Sequence, residues 1–181
     1  TTAVDAKLAW WGEELRSWAG QRCRHPLGRL LEPVRAPWGQ LAEALPSLLQ
    51  ARSALADAAQ ARQSLQPYAQ AVAAVEMVLF AGRAGAGSPA AVVTQMLAHR
   101  LDRLGQAAVP QDVPGEDSHA AIAAWAAGLL AQWPLRVEGP RPRRVHAVLA
   151  RLRTQALASG KTLTPHPASV LLKAWWAARG R

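Results

Sequence analysis

The sequence predicts an all-α protein, and three observations carry that expectation. Alanine occurs 40 times among 181 residues, and the other frequent residues, Leu, Arg, Gln and Glu, are also good helix formers. β-Branched residues are scarce. Apolar residues recur three and four apart in stripe after stripe, the period of one helix face. The length suffices for one domain with a sizeable core. Composition does not shift sharply along the chain and no 30- to 45-residue repeat stands out, which disfavours a solenoid. Residues 1–181 are therefore read as a single all-α domain of about eight helices in a bundle-like packing.

The elements follow in order. Val4, Leu8, Trp11, Leu15 and Trp18 form the first stripe, with Gly20 as its stop. His25-Pro26 opens a short helix carrying Leu27, Leu30, Leu31 and Val34, limited by Pro33. Pro37 and Pro46 frame the next pieces, and residues 50–64 read as one weakly amphipathic helix. Leu65, Tyr68, Val72, Val75 and Leu79 make another stripe, ending at Gly82. Residues 82–88, GRAGAGS, are a glycine-rich connection; without a GK[ST] or a preceding strand they do not make a phosphate loop. Ser88-Pro89 reads as N-cap and first helical residue, before a stripe of Val93, Met96 or Leu97, Leu101 and Leu104 that stops at Gly105. A loop over 109–118 leads to a helix capped by Asp117 or Ser118, with Ile122, Trp125, Leu129 and Trp133 inward. EGPRPRR, residues 138–144, reads as a linker. Val145, Leu149, Leu152 and Ala156 mark the next helix, ending at Gly160, and the last helix holds Val170, Leu171, Trp175 and Trp176.

The formal charge is +9, with 18 Arg against 3 Lys. A basic surface attracts nucleic acid, anionic lipid or diphosphate, although a solvated basic face is the ordinary outcome. One cysteine, Cys23, excludes an internal disulfide and a cysteine metal cluster, and it has no evident base for nucleophilic work. The five histidines show no i, i+4 pair, so zinc is not expected. No apolar run has the length of a membrane span and no signal pattern opens the chain, so a cytoplasmic protein, with peripheral membrane contact as an option, is expected.

Several side chains invite a functional role. Glu13 and Glu14 are adjacent, and neighbours on a helix do not converge on one atom; two solvated or salt-bridged glutamates opposite the tryptophan face are expected. Glu76 lies among Val72, Val75, Met77 and Val78, so a buried carboxylate paired with an arginine is expected, with a cavity-lining role as the alternative. Arg100 and Arg103 share a helix face around Asp102 and are candidates for binding an anion such as a diphosphate. Trp10, Trp11, Trp18, Trp125, Trp133, Trp175 and Trp176 are read mostly as core, or in part as the wall of a large apolar cavity.

KLAWWGEEL, followed by AGQRCRHPLGRLL, carries a resemblance. The helix, the glycine-containing turn and the HP start resemble the squalene/phytoene synthase family, whose bacterial members read LAWWREEL and then HPV-x-RAL. Lys7 to Leu15, Gly20, His25-Pro26, Arg29 and Leu30 agree. Weaker patches follow: LQPYAQAVAAVEMVLFAG, RLGQAAVPQDV (similar to RRGRVYLPQDEL), RRVHAVLARLRTQAL and PASVLLKAWWAARG. The resemblance implies an all-α, isoprenoid-synthase-like bundle around a deep apolar cavity, here lined by Trp11, Glu76, Leu97 and Leu101. It implies head-to-head joining of two prenyl diphosphates, with Mg²⁺ held by two aspartate-rich motifs, because hard cations need carboxylates one helical turn apart.

Those motifs are where the chain departs. Before Lys7 it has only Asp5, and the second motif's positions fall near Leu97, Arg100 and Leu101. QDVPGED, residues 111–117, is similar to the family's RDVGED string, but its prolines mark a loop. The expectation is a shortened, degenerate member, more a pseudoenzyme than an enzyme, with no catalytic residues, no metal and no cofactor. It would bind a prenyl lipid or prenyl diphosphate, or assemble with a protein partner or a second copy. The first alternative is an active prenyltransferase, using Mg²⁺, whose first aspartate motif lies upstream of Thr1. The second is a basic helical protein that binds nucleic acid through GPRPRRV and Arg151-Leu152-Arg153, disfavoured because the interleaved aromatics of an RNA platform are missing.

Overall fold

The computed structural model describes residues 3–31, 33–53, 56–80, 88–160 and 167–179, and among them every regular element is helical. The order is α1 (Ala3–Ala19), α2 (Pro26–Leu31), α3 (Trp38–Ala44), α4 (Pro46–Ser53), α5 (Ala58–Gln63), α6 (Gln66–Leu79), α7 (Pro89–Leu104), α8 (Ser118–Ala131), α9 (Arg141–Ser159) and α10 (Pro167–Arg179), with a 3₁₀ turn at Gly105–Ala108. The helices pack around two adjoining apolar clusters, as one bundle-like body.

Local chemistry places most boundaries. Ser88 Oγ accepts from the Ala91 amide at 3.2 Å with Pro89 at the first helical position, and Asp117 Oδ1 accepts from the Ala120 amide at 2.7 Å. Each satisfies a donor that the first helical turn leaves open. Gly160, with φ +62°, closes α9 in the left-handed conformation that glycine adopts without a Cβ penalty. Two expectations are corrected. The single helix over 50–64 is two, because Asp57 starts α5 by accepting from the Gln60 amide at 2.6 Å. The Pro/Arg linker is shorter than read, because α9 begins at Arg141, with Pro142 inside a first turn where a missing N–H costs nothing. Gly82 and most of GRAGAGS lie outside the described residues.

The larger cluster joins α5, the start of α6, α7 and α8 through Leu65, Ala69, Val92, Val93, Leu97, Leu101, Trp125, Leu129 and Trp133. Leu104 is half exposed instead of completing its stripe. The second cluster joins α1, α3 and the later part of α6 through Leu15, Trp18, Trp38, Leu45 and Val75, with Leu8, Trp11 and Tyr68 against it. Trp18 and Trp38 meet edge to face at 5.1 Å, and each is 3% exposed. Trp38, absent from the expected core, is central to it; its indole N–H donates to the Val34 carbonyl at 3.1 Å. Side chains of this size contribute about 1.5–3 kcal/mol or more each on burial. α9 covers α7 and α8, and α10 lies mainly on α9. No helix among the described residues is long and apolar enough to cross a membrane.

Candidate functional site

The opening helix ends in a turn that gives Glu14 its role. Arg22 N–H donates to Ser17 O at 2.8 Å and Gln21 N–H to Trp18 O at 3.1 Å, the paired bonds of a Schellman closure. Gln21, not Gly20, takes the left-handed position, with φ +56°. The chain then doubles back, and Glu14 Oε1 accepts from the amides of His25 at 2.6 Å and Arg24 at 2.9 Å, and from Trp18 Nε1 at 2.8 Å. Of the two expected states, solvated or salt-bridged, Glu14 takes the second, with Oε2 3.9 Å from Arg24 Nε, but it is 1% exposed and bonded to Trp18 rather than opposite the tryptophans; Glu13 is exposed. The His25 amide bond, against burial and with help from Trp18 and Arg24, holds the Glu14 carboxyl below its ordinary value of 4.5. A carboxylate with three donors on one oxygen is fixed as an anion and organises the turn. Gly28 completes the joint: a Cβ there would stand 2.5 Å from Trp18 Nε1 and 2.6 Å from Cys23 Cβ.

The second polar centre lies between α6, α7 and α9. Glu76 is paired with Arg143, whose Nε donates to Glu76 Oε2 at 3.0 Å and whose Nη2 donates to Glu76 Oε1. The third guanidinium nitrogen used, Nη1, donates to Gln95 Oε1 at 2.6 Å. His146 Nδ1 stands 2.7 Å from the same Gln95 oxygen. An arginine can only donate, so Gln95 presents its oxygen, and His146 in turn presents Nδ1–H. Burial, and after it the charges of Arg143, His99 and Arg153, pushes His146 below its ordinary 6.5, which keeps the ring neutral. Burial raises the nearby Tyr68 hydroxyl against the pull of Arg143. The arginine expected for Glu76 is thus present. Both carboxylate oxygens are engaged, which makes Glu76 an anchor for α9 rather than a free acid or base.

The residues singled out in the sequence fall in different surroundings. Leu97 and Leu101 are 3% and 1% exposed inside the larger cluster, and Trp11 is half-buried against the other. Arg100 Nη1 donates to the Ala51 carbonyl at 2.5 Å and so fastens α7 to α4, whereas Arg103 is exposed. Two carboxylates of QDVPGED serve helix starts: Asp112 accepts from the Ala58 amide, at the first residue of α5 and 54 positions away, at 3.1 and 3.2 Å, and Asp117 caps α8. Among the described residues no group of three or more His, Cys, Asp or Glu side chains is placed to hold a metal ion. A shallow cavity of about 60 Å³ lies between α7 and α9, edged by His99, Asp102, His146 and Arg153. It has room for a water or two or a small anion, not for a prenyl chain.

Of the eight tryptophans, Trp18, Trp38, Trp125 and Trp133 are buried. Trp10, Trp175 and Trp176, expected mostly in the core, are 44%, 45% and 46% exposed. In α10 no residue is buried, because Val170, Ala174, Ala177 and Ala178 are the half-buried positions and the large residues point away from them. Periodicity gave no signal for Arg143, which meets Glu76 only through tertiary packing, or for Gln95, which meets Arg143 in the same way. Compared with family models, curated proteins and solved structures, the chain gives no match.

Proposed function

We propose that this chain is a non-catalytic helical protein, built on a scaffold like that of the squalene/phytoene synthases, which acts by assembly with a partner rather than by prenyl transfer. The observation that carries the reading is the Glu76–Arg143–Gln95 network. It occupies the region between α6, α7 and α9 with bonded polar groups, while Leu97 and Leu101 are buried in the larger apolar cluster. Prenyl transfer needs an apolar chamber there and carboxylate pairs facing it. Leu97, Arg100 and Leu101 offer none.

The test is incubation with farnesyl diphosphate and Mg²⁺, followed by diphosphate release and by the thermal shift of the protein. No release and no shift are the expected results. Release would establish the prenyltransferase alternative. A shift without release, lost in Arg103→Ala, would instead establish a prenyl diphosphate-binding role. The exposed Arg151 and Arg153 favour one further reading, nucleic-acid binding; a steep salt dependence of retention on DNA would be its mark.

A further inference from the structure

Every carboxylate of the chain lies at or before Glu138. Residues 1–138 hold 12 acidic and 12 basic side chains, and residues 139–181 hold 9 basic and no acidic ones. The whole formal charge of +9 therefore belongs to the segment that forms α9 and α10. Among the described residues Arg143 is the one cation of this segment within salt-bridge distance of a carboxylate.

Among the described residues the same segment carries the most exposed helix face of large apolar residues. Leu171 is 71% exposed, Leu172 56%, Trp175 45% and Trp176 46%. These residues follow one another at helical spacing on the side opposite Val170, Ala174 and Ala177. An ordinary surface helix buries leucine and tryptophan and exposes alanine; α10 does the reverse. The arrangement is held in place. Arg144 donates to the carbonyls of Ala177 at 2.9 Å and Ala178 at 3.1 Å, which satisfies acceptors at the end of α10. The Arg179 guanidinium lies 3.7 Å from the centre of the Trp175 ring.

From this we propose that α10 is a docking face for an anionic lipid bilayer surface. The helix would lie in the plane of the interface, with Leu171 and Leu172 among acyl chains and the two indoles at headgroup depth. Lys173 and Arg179 reach back to the headgroup phosphates on flexible stems. The charge of α9 adds attraction to the acidic leaflet. A polyanion alone gives no reason to expose two leucines; a charged bilayer accounts for the apolar face, the interfacial indoles and the surplus of cations together. This inference stands apart from the proposed assembly role and does not depend on the family resemblance.

The full chain is tested by co-sedimentation with vesicles of phosphatidylcholine containing phosphatidylglycerol and with vesicles of phosphatidylcholine alone. Binding to the acidic vesicles, weakened by salt, is expected, with little to the neutral ones. Trp175→Ser with Trp176→Ser, and separately Leu171→Ser with Leu172→Ser, should each weaken it at least about tenfold while leaving the melting temperature unchanged. Absence of binding to acidic vesicles overturns the proposal, as does binding that either double variant leaves intact. A change from dimer to monomer in the double variants, without vesicle binding by the parent chain, would assign the face to a second copy instead.

Discussion

Residues 9–11 and 174–176 both read Ala-Trp-Trp, and folding treats the two copies differently. In α1 Ala9 and Trp10 are exposed, and Trp11 belongs to a face whose later residues, Leu15 and Trp18, are buried against Trp38, Leu45 and Val75. In α10 the triplet's alanine is the half-buried member and its two tryptophans point outward. The dipeptide does not decide its own burial. The residues three and four positions away decide it, by determining which side of the helix a neighbour covers. α1 has aromatic and aliphatic partners on two other helices. α10 has chiefly α9, approached through small side chains.

The sharpest way to break this contrast is to delete one indole at each end. Trp38→Ala removes a side chain that is 3% exposed and touches Trp18. It should cost about 3–5 kcal/mol and lower the melting temperature by roughly 10 °C. Trp176→Ala removes an indole that is 46% exposed and should stay within about 0.5 kcal/mol. Urea and thermal melts of the two variants measure the difference. Equal losses would mean that α10 is covered in solution.

Arg143 is the second point of attack, because it ties the basic C-terminal helices to the body. Arg143→Met leaves Glu76 without its guanidinium donor and Gln95 Oε1 with His146 alone. The side chains are 13% and 19% exposed in the ion pair, so the loss should be about 1–3 kcal/mol. Adding Glu76→Leu should restore part of it, since two apolar groups leave no unpaired charge. A double-mutant cycle by urea unfolding gives the coupling; zero coupling would show that the pair contributes nothing.

How much of this was legible in the sequence depends on the range of the interactions. The Ser88 cap and the stop at Gly160 are set within a few residues, and the sequence states them; it narrows the cap of α8 to Asp117 or Ser118, and Asp117 fills it. The pairing of Glu76 with an arginine follows from its apolar neighbours, but its identity does not, because Arg143 is 67 positions away. The burial of Glu14 was hidden for a related reason: nothing in GEEL says that the chain will return two amides to it. The outward turn of Trp175 and Trp176 was hidden because counting tryptophans as core ignores which neighbour is available. Arg100 and Arg103 share a helix as read, yet one fastens α4 and the other faces solvent.

Acid titration sharpens the account of the N-terminal joint. The folded carboxyl of Glu14 lies below its ordinary 4.5, mainly through the His25 amide. The unfolded chain therefore takes up the proton first as the pH falls. The stability that Glu14 contributes is complete above the ordinary carboxyl range and is lost as the pH drops through the folded value. Glu14→Gln should lower the melting temperature at neutral pH by several degrees and flatten its decline as the pH falls below the ordinary 4.5 of the carboxyl. His146 is also lowered in the fold, mainly by burial, so its own loss begins as the pH falls below the ordinary 6.5 of the unfolded chain and should persist in Glu14→Gln. Melting curves across pH decide this; an unchanged acid limb would exclude Glu14 as its source.

The smallest expected effect is a gain. Gln21 holds φ +56° at the closing position of α1, where a side chain crowds its own backbone and glycine does not. Gly20 sits one residue too early to take that position, which is why its presence in the sequence marks the end of the helix without supplying the left-handed residue. Gln21→Gly should relieve the crowding, offset in part by the greater freedom of glycine in the unfolded chain, for a net stabilisation of about 0.5 kcal/mol. The same change should leave the Glu14 bonds to Arg24 and His25 in place, so its pH dependence should match that of the parent chain. If thermal melts instead show a loss, the exposed Gln21 side chain contributes to the turn, and the joint between α1 and α2 depends on more than the backbone closure and the Glu14 carboxylate.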